Sequence, residues 1–337
     1  MASVLGTLKF AAIFLHLLVP FVVSLNFTAL SQQGVLHNYA YHLVAFEHNP
    51  PTCTNSSDRD TLLFMGGLGE GFTTVPYVSG LAEALEDWSV VEVLTTSSYY
   101  GWGMGSLKRD VEELSQAVAY IKQIRPHGRV VLLGHSTGSQ DAIEYISKPA
   151  AGAPDLDGAI FQAPVSDREA MRYLMGDESY YEALDFVTKW VAEGLGEEII
   201  PIKYRGPFAA YPITARRWYS LLVPLGPNGI PRGDDDYWSS DISEDVVKSV
   251  YERVTAETKL LYLFSEDDEY MSSSLDKEAL LQKWYRAAAA AGVTVDTENS
   301  GTVAGANHRY EDVPESVTQD LYGRVKRFLE GLDSDSK

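Results

Sequence analysis

One pentapeptide carries the residue types of covalent catalysis: Gly134-His135-Ser136-Thr137-Gly138. It fits the G-x-S-x-G pattern, in which a serine sits at a sharp strand-to-helix turn with its hydroxyl held out. Such a turn is strained, so the residues two positions to either side must be small, and Gly134 and Gly138 meet that need. The apolar run Val130-Val131-Leu132-Leu133 leads into it, and Ala142, Ile143 and Ile146 follow at helical spacing. That is the strand–turn–helix setting the pattern requires.

A serine hydroxyl is a weak nucleophile until a base takes its proton. The chain has seven histidines, and only His308 lies C-terminal to Ser136. His16 falls in an apolar leader. His37, His42 and His48 precede the core elements, His127 lies at a helix end, and His135 is fixed inside the turn. Enzymes with this serine turn follow the chain order Ser, acid, His, which points to His308 as base. The acid must hold the imidazole in one tautomer. Glu266, Asp267, Asp268 and Glu269 crowd together after an apolar run at 260–264. Loops of this kind commonly read Asp-x-x-Val-Pro, and Asp268-Glu269-Tyr270-Met271-Ser272 aligns with that frame. Asp268 is the choice and Asp267 the alternative; the other two read as solvated loop charges.

The tetrahedral intermediate needs backbone donors. Thr137, which follows the nucleophile, supplies one amide. Leu68 in Gly66-Gly67-Leu68-Gly69 is the expected second donor, with Gly67 next. The same glycines do not make a dinucleotide loop, because Phe72 stands where G-x-G-x-x-G needs its third glycine. No pattern suggests a metal or cofactor. Tyr99-Tyr100-Gly101-Trp102-Gly103-Met104-Gly105 reads equally as a pocket wall or a packed surface loop. Asp234-Asp235-Asp236 reads as a solvated turn rather than a cation site.

These residues need elements to position them. Strand-like runs fall at 39–46, 61–65, 90–94, 130–133, 159–161, 260–264 and 293–297. Helical spacing falls at 75–85, 107–124, 139–146, 275–291 and 317–332. The helix over 107–124 puts Leu107, Val111, Leu114, Val118 and Ile121 on one face. This alternation implies a mostly parallel sheet covered on both sides. Between 167 and 258 no strong strand occurs, which reads as a helical cap inserted between core segments 34–166 and 259–335. Ligands in such sheets bind at the carboxyl ends of the strands.

Composition sets the limits. The 337 residues are 45% hydrophobic, enough for one large α/β domain and an insertion. A net charge of −20 makes nucleic acid and anionic membranes poor partners and reads first as a device for solubility. Cys53 is the single cysteine, so no intrachain disulfide forms and no thiolate zinc site exists. Residues 1–30 stand apart from the fold: Lys9 precedes an apolar run of roughly 15 residues, suited to a signal or anchor rather than a spanning helix. With the sequons at Asn26 and Asn55 it points to the secretory route.

From about Gly34 onward the sequence resembles a family of fungal and plant α/β-hydrolases catalogued as a domain of unknown function. The resemblance is carried by Leu43-Val44-Ala45-Phe46-Glu47, Gly66-Gly67-Leu68-Gly69-Glu70-Gly71, Val75-Pro76-Tyr77 and Gly134-His135-Ser136-Thr137-Gly138-Ser139-Gln140-Asp141. It extends through Asp234-Asp235-Asp236-Tyr237-Trp238-Ser239-Ser240-Asp241, Asp268-Glu269-Tyr270 and Ala306-Asn307-His308. The family includes fungal esterases of fusarinine C siderophores. The resemblance therefore implies an α/β-hydrolase fold, a triad of Ser136, Asp268 and His308, and hydrolysis of siderophore esters in the cytoplasm to release iron. Met271-Ser272 departs from the usual Val-Pro, and the leader departs from the cytoplasmic expectation. Two rivals remain at this level: a non-catalytic small-ligand receptor on the same fold, and a general lipase or acyltransferase.

Overall fold

The computed structural model describes residues 32–48, 57–233 and 236–332. The leader, Cys53, Asn55, Asp234 and Asp235 lie outside them. The strands are β1 (Gly34–Ala40), β2 (Leu43–His48), β3 (Asp60–Met65), β4 (Trp88–Val93), β5 (Val130–His135), β6 (Gly158–Gln162), β7 (Lys259–Ser265) and β8 (Gly301–Val303). They form one sheet in the order β1-β2-β4-β3-β5-β6-β7-β8. β1 and β2 pair antiparallel and β2 meets β4 antiparallel; every other pairing is parallel.

The central strands carry near-continuous apolar runs because both faces are covered. Side chains alternate between the faces with period two. On one face Val130, Leu132, Phe161 and Tyr262 pack with helices α2 (Leu107–Ile124), α3 (Gly138–Ser147), α7 (Glu244–Tyr251) and α8 (Lys277–Ala290). On the other, Val131, Leu133, Ile160 and Leu263 pack with α1 (Tyr77–Ala84) and α9 (Glu315–Gly331). α2 buries Leu107, Val111, Leu114, Val118 and Ile121, the face read from its spacing, and the Ser106 hydroxyl caps its start by accepting from the Arg109 amide. Each fully buried Leu or Val of this kind stabilises by about 1.5–3 kcal/mol.

Three features differ from the sequence reading. The run at 39–46 is two strands of a hairpin, turned at Tyr41-His42 with His42 at φ 60°. Neither residue is a usual turn former, so the break left no local mark. The strand expected at 293–297 is a single bridge between Leu260 and Val295. Asp296 ends it there, since its carboxylate accepts from the Glu298 and Asn299 amides and folds the chain into a turn. Pairing with β7 resumes at Gly301 as β8. Asp236 is not a solvated charge: it is buried and pairs with Arg168 at 3.1 Å.

Between β6 and β7 the described chain is helical, with α4 (Asp167–Met175), α5 (Asp177–Ala192), α6 (Ala215–Leu222) and then α7. α4 to α6 gather around their own cluster, which includes Met171, Tyr180, Val187, Phe208 and Trp218. α7 belongs instead to the sheet, its Val247 and Tyr251 clustering with Trp238 and the α8 side chain Trp284.

The antiparallel edge is held by a buried charge. Glu47 on β2 is 2% exposed and accepts from Arg125 and Ser89, each at 2.6 Å, and from His37 at 2.9 Å. Arg125, 4% exposed, also reaches Thr61 on β3, so α2, β1, β2, β3 and β4 meet here. Burial would raise the Glu47 carboxyl, but its bonds to His37, Ser89 and Arg125 hold it down at about 2. A carboxyl lowered on folding adds stability that is complete above its unfolded value of 4.5 and lost as pH falls towards 2. Glu47→Gln should therefore lose about 3 kcal/mol near neutral pH, because it leaves Arg125 buried and unpaired. Urea midpoints of the two proteins should converge below pH 4.5; a constant gap across that range would mean the charge of Glu47 is not what stabilises.

Candidate active site

The carboxyl ends of β3, β5, β7 and β8 open on one rim, and the loops that leave them carry the residues singled out above. At the end of β5 the chain reverses into α3 through Ser136, whose φ is +55°. The strain persists because the neighbours leave no alternative path. A Cβ on Gly134 would lie 2.0 Å from the Gly138 carbonyl oxygen, and one on Gly138 would lie 2.3 Å from that of Met65. The Ser136 amide donates to the Gln162 carbonyl at 3.0 Å, which pins the turn to β6.

His308 sits in the loop after β8 and is 3% exposed. Its Nδ1 lies 2.8 Å from Asp268 Oδ2, so Nδ1 carries the proton and Nε2 is left as an acceptor. Asp268 is 5% exposed, whereas Asp267 faces solvent. Asp268, not Asp267, is thus the carboxylate on the imidazole. Burial works to lower the His308 pKa, but the charge and hydrogen bond of Asp268, with Glu269 and Glu70 beyond, raise it above the ordinary 6.5. The neighbouring acids are not idle loop charges. Glu269 accepts from the His308 amide at 3.0 Å and Glu266 from the Gly305 amide at 2.8 Å, so the two loops are clamped together.

Ser136 and His308 line one cavity of ≈ 380 Å³. Among the described residues their side chains are not hydrogen-bonded to each other. Catalytic hydrogen bonds of this kind are commonly long without substrate and tighten when it binds. Leu68 and Thr137 line the same cavity, and neither amide has an acceptor among the described residues. The Gly67 amide is taken: it donates to Glu70 Oε2 at 2.7 Å. Thr137 is held from the other side, its hydroxyl donating to Asp167 at the start of α4 at 3.1 Å. Tyr99, Tyr100 and Tyr211 complete a wall, with the rings of Tyr100 and Tyr211 4.9 Å apart. The aromatic glycine loop is therefore both things at once, since Trp102 from the same loop is buried beneath.

Two residues given no role from sequence stand at the centre of the site. Glu70 Oε1 lies 3.5 Å from His135 Nε2 and 3.3 Å from Arg309 Nε. Burial would raise the Glu70 carboxyl, but His135, Arg309 and the Gly67 amide hold it at about 2. The available signal was a lone acid in a glycine-rich loop, followed far along the chain by a cation next to the base.

Known proteins are similar to this chain over most of its length. The family described as "Protein of unknown function (DUF1749)" matches residues 26–330. A UPF0613 protein of Schizosaccharomyces pombe is 38% identical over 90% of this chain and 98% of its own length. The fusarinine C esterase sidJ of Aspergillus fumigatus is 33% identical over 89% of this chain and 96% of its own. The solved siderophore hydrolase EstB of Aspergillus fumigatus superposes with a TM-score of 0.79 at 32% identity, covering 91% of this chain and all of that one.

The tightness of the Ser136 turn is open to a direct check. Gly138→Ala places a methyl group against the Met65 carbonyl and should lower stability by about 1–3 kcal/mol, read as a fall in the urea midpoint. An unchanged midpoint would show that the turn has slack.

Proposed function

This chain belongs to the DUF1749 family, and from that premise and the site geometry we propose that it is a serine carboxylic-ester hydrolase acting on esters of a fusarinine-type siderophore. The observation that carries the chemistry is the buried Asp268–His308 pair opening into the cavity that Ser136 lines. Ser136 Oγ attacks the ester carbonyl while His308 Nε2 takes its proton. The carbonyl electrons move onto oxygen, which the Leu68 and Thr137 amides hold. Collapse of this intermediate breaks the bond to the alkoxy oxygen, which receives the proton from His308 and leaves as the alcohol. Water repeats the sequence on the acyl-serine and releases the carboxylic acid. Asp268 keeps Nδ1–H in place and stabilises the imidazolium. Of the interval 167–258 read as a cap, residues 167–223 bound the cavity, with Met171, Phe208 and Tyr211 facing substrate, while α7 packs on the sheet.

The siderophore assignment rests on the two named relatives, both covered over nearly their whole length. The cavity, at ≈ 380 Å³, falls in the range of small-ligand sites.

A hydrolysis panel of fusarinine-type and plain acyl esters, on wild type and Ser136→Ala, tests the reading. Wild type should turn over the siderophore esters fastest, and Ser136→Ala should lose at least about 10³-fold in kcat while still binding them. Stoichiometric organophosphate labelling of wild type and none of Ser136→Ala should accompany this. An unlabelled, inactive wild type would leave a receptor on the same fold.

The base carries its own signature. His308 must be neutral to accept a proton, so kcat/KM should climb with pH through a value above 6.5. Asp268→Asn removes both the charge and the tautomer support, and should lower kcat by about 10³–10⁴-fold. A wild-type limb at or below 6.5 would contradict the raised pKa.

A further inference from the structure

Glu70 touches three separate pieces of the site, and each contact falls one residue away from a group assigned to the chemistry. Its Oε2 accepts from Gly67, the neighbour of Leu68. Its Oε1 stands at ion-pair distance, without a hydrogen bond, from His135, the neighbour of Ser136, and from Arg309, the neighbour of His308. From this arrangement we propose that Glu70 is a positioning residue that fixes the oxyanion loop, the nucleophile turn and the base loop relative to one another. The proposal rests on the serine hydrolase reading above.

The local geometry shows how. The Glu70 amide donates back to the Gly67 carbonyl at 3.2 Å, so residues 67–70 form a closed turn. With the Gly67 N–H drawn to the carboxylate, the next amide, Leu68, has no acceptor among the described residues and faces the cavity. A Cβ on Gly67 would sit 2.7 Å from Ser136 Cβ, so this turn lies directly against the nucleophile. Arg309 extends the clip: it donates to the Thr74 carbonyl beyond the same loop and pairs with Glu311 at 3.2 Å. His135 is anchored from behind by Gln162, which in turn accepts from Tyr77 at 2.9 Å. One carboxylate thus joins loops from β3, β5 and β8.

Glu70 also acts through charge. The groups facing the His308 ring are Asp268, Glu269 and Tyr270 from the β7 loop, Glu70 from the β3 loop and His135 from β5, with Arg309 and Glu311 on its own loop. A negative Glu70 favours the imidazolium formed during catalysis, while Arg309 opposes it. Removing either one should therefore move the base in opposite directions.

The experiment compares wild type, Ser136→Ala, Glu70→Gln and Arg309→Gln as full chains, using p-nitrophenyl acetate across pH and thermal melts as a folding control. Glu70→Gln should lower kcat by about 10- to 100-fold with KM nearly unchanged, because the donors are misaimed rather than the cavity altered. Its ascending limb should shift to lower pH, and that of Arg309→Gln to higher pH. A merely structural ion pair would lower melting temperature without opposed movements of the limb. Wild-type kcat in a folded Glu70→Gln, or limbs that do not part, would overturn the proposal. If Glu70→Gln does not fold, the limb of Arg309→Gln decides: an upward shift supports the clip and an unmoved limb refutes it. A wild type with no turnover, or an active Ser136→Ala, would instead defeat the hydrolase reading.

Discussion

The whole site depends on one strained backbone conformation, the positive φ at Ser136 between β5 and α3. A β-strand that ran on would point the serine into the sheet, and a gradual turn would leave its amide and hydroxyl far apart. The abrupt reversal sets the Oγ at the cavity and leaves the Thr137 amide beside it at the start of a helix. Such strain costs on the order of 1–3 kcal/mol and survives only where packing enforces it. Here the enforcing contacts are backbone against backbone: Gly138 against Met65 of β3 and Gly134 against Gly138. The parallel register of β3, β5 and β6 is therefore a condition of the chemistry as well as of the fold.

The same sheet explains why residues so distant in sequence meet. Parallel strands deliver their carboxyl ends to one rim, so the loops after β3, β5, β7 and β8 are neighbours whatever the chain between them does. The long helical stretch between β6 and β7 can thus vary without disturbing the relation of Asp268 to Ser136. Its helices α4 to α6 share a cluster around Trp218 that also takes in Trp102 and, at its edge, Leu68. That stretch touches the machinery at Asp167, through the Thr137 hydroxyl, and at Tyr211, which stands against Gly69 and lines the cavity.

Features with a local cause were legible in the sequence. The glycines around Ser136, the apolar strands and the face of α2 each follow from neighbours within a few residues. His308 was legible by elimination, being the sole histidine after the serine. The choice of acid was harder: Asp267 and Asp268 differ only in which side of the loop they face, and tertiary packing decides that. The hairpin at Tyr41-His42 and the late start of β8 depend on pairing with distant strands, so composition carried no sign of them. Glu266 and Glu269 read as solvent charges because their partners are backbone amides nearly 40 residues on. Glu70 was invisible as a functional residue for a like reason, since two of its three partners lie in β5 and after β8.

The distribution of charge in the site is itself an argument for the proposed mechanism. Asp268, Glu269 and Glu70 all raise the proton affinity of His308, which stabilises an imidazolium. The same carboxylates would repel a developing oxyanion, so the site cannot rely on negative groups everywhere. The two amides proposed to meet that oxyanion belong to Leu68 and Thr137, and the acids near each are engaged elsewhere. Glu70 is turned to Gly67, His135 and Arg309, and Asp167 to the side chains of Thr137 and Gln140. Arg309 places a compensating cation between the base loop and the oxyanion loop. A carboxylate that served the histidine without such a partner would weaken the amides a few ångströms away. The Glu70–Arg309 pair resolves that conflict by keeping the charge close to the base while balancing it towards the oxyanion.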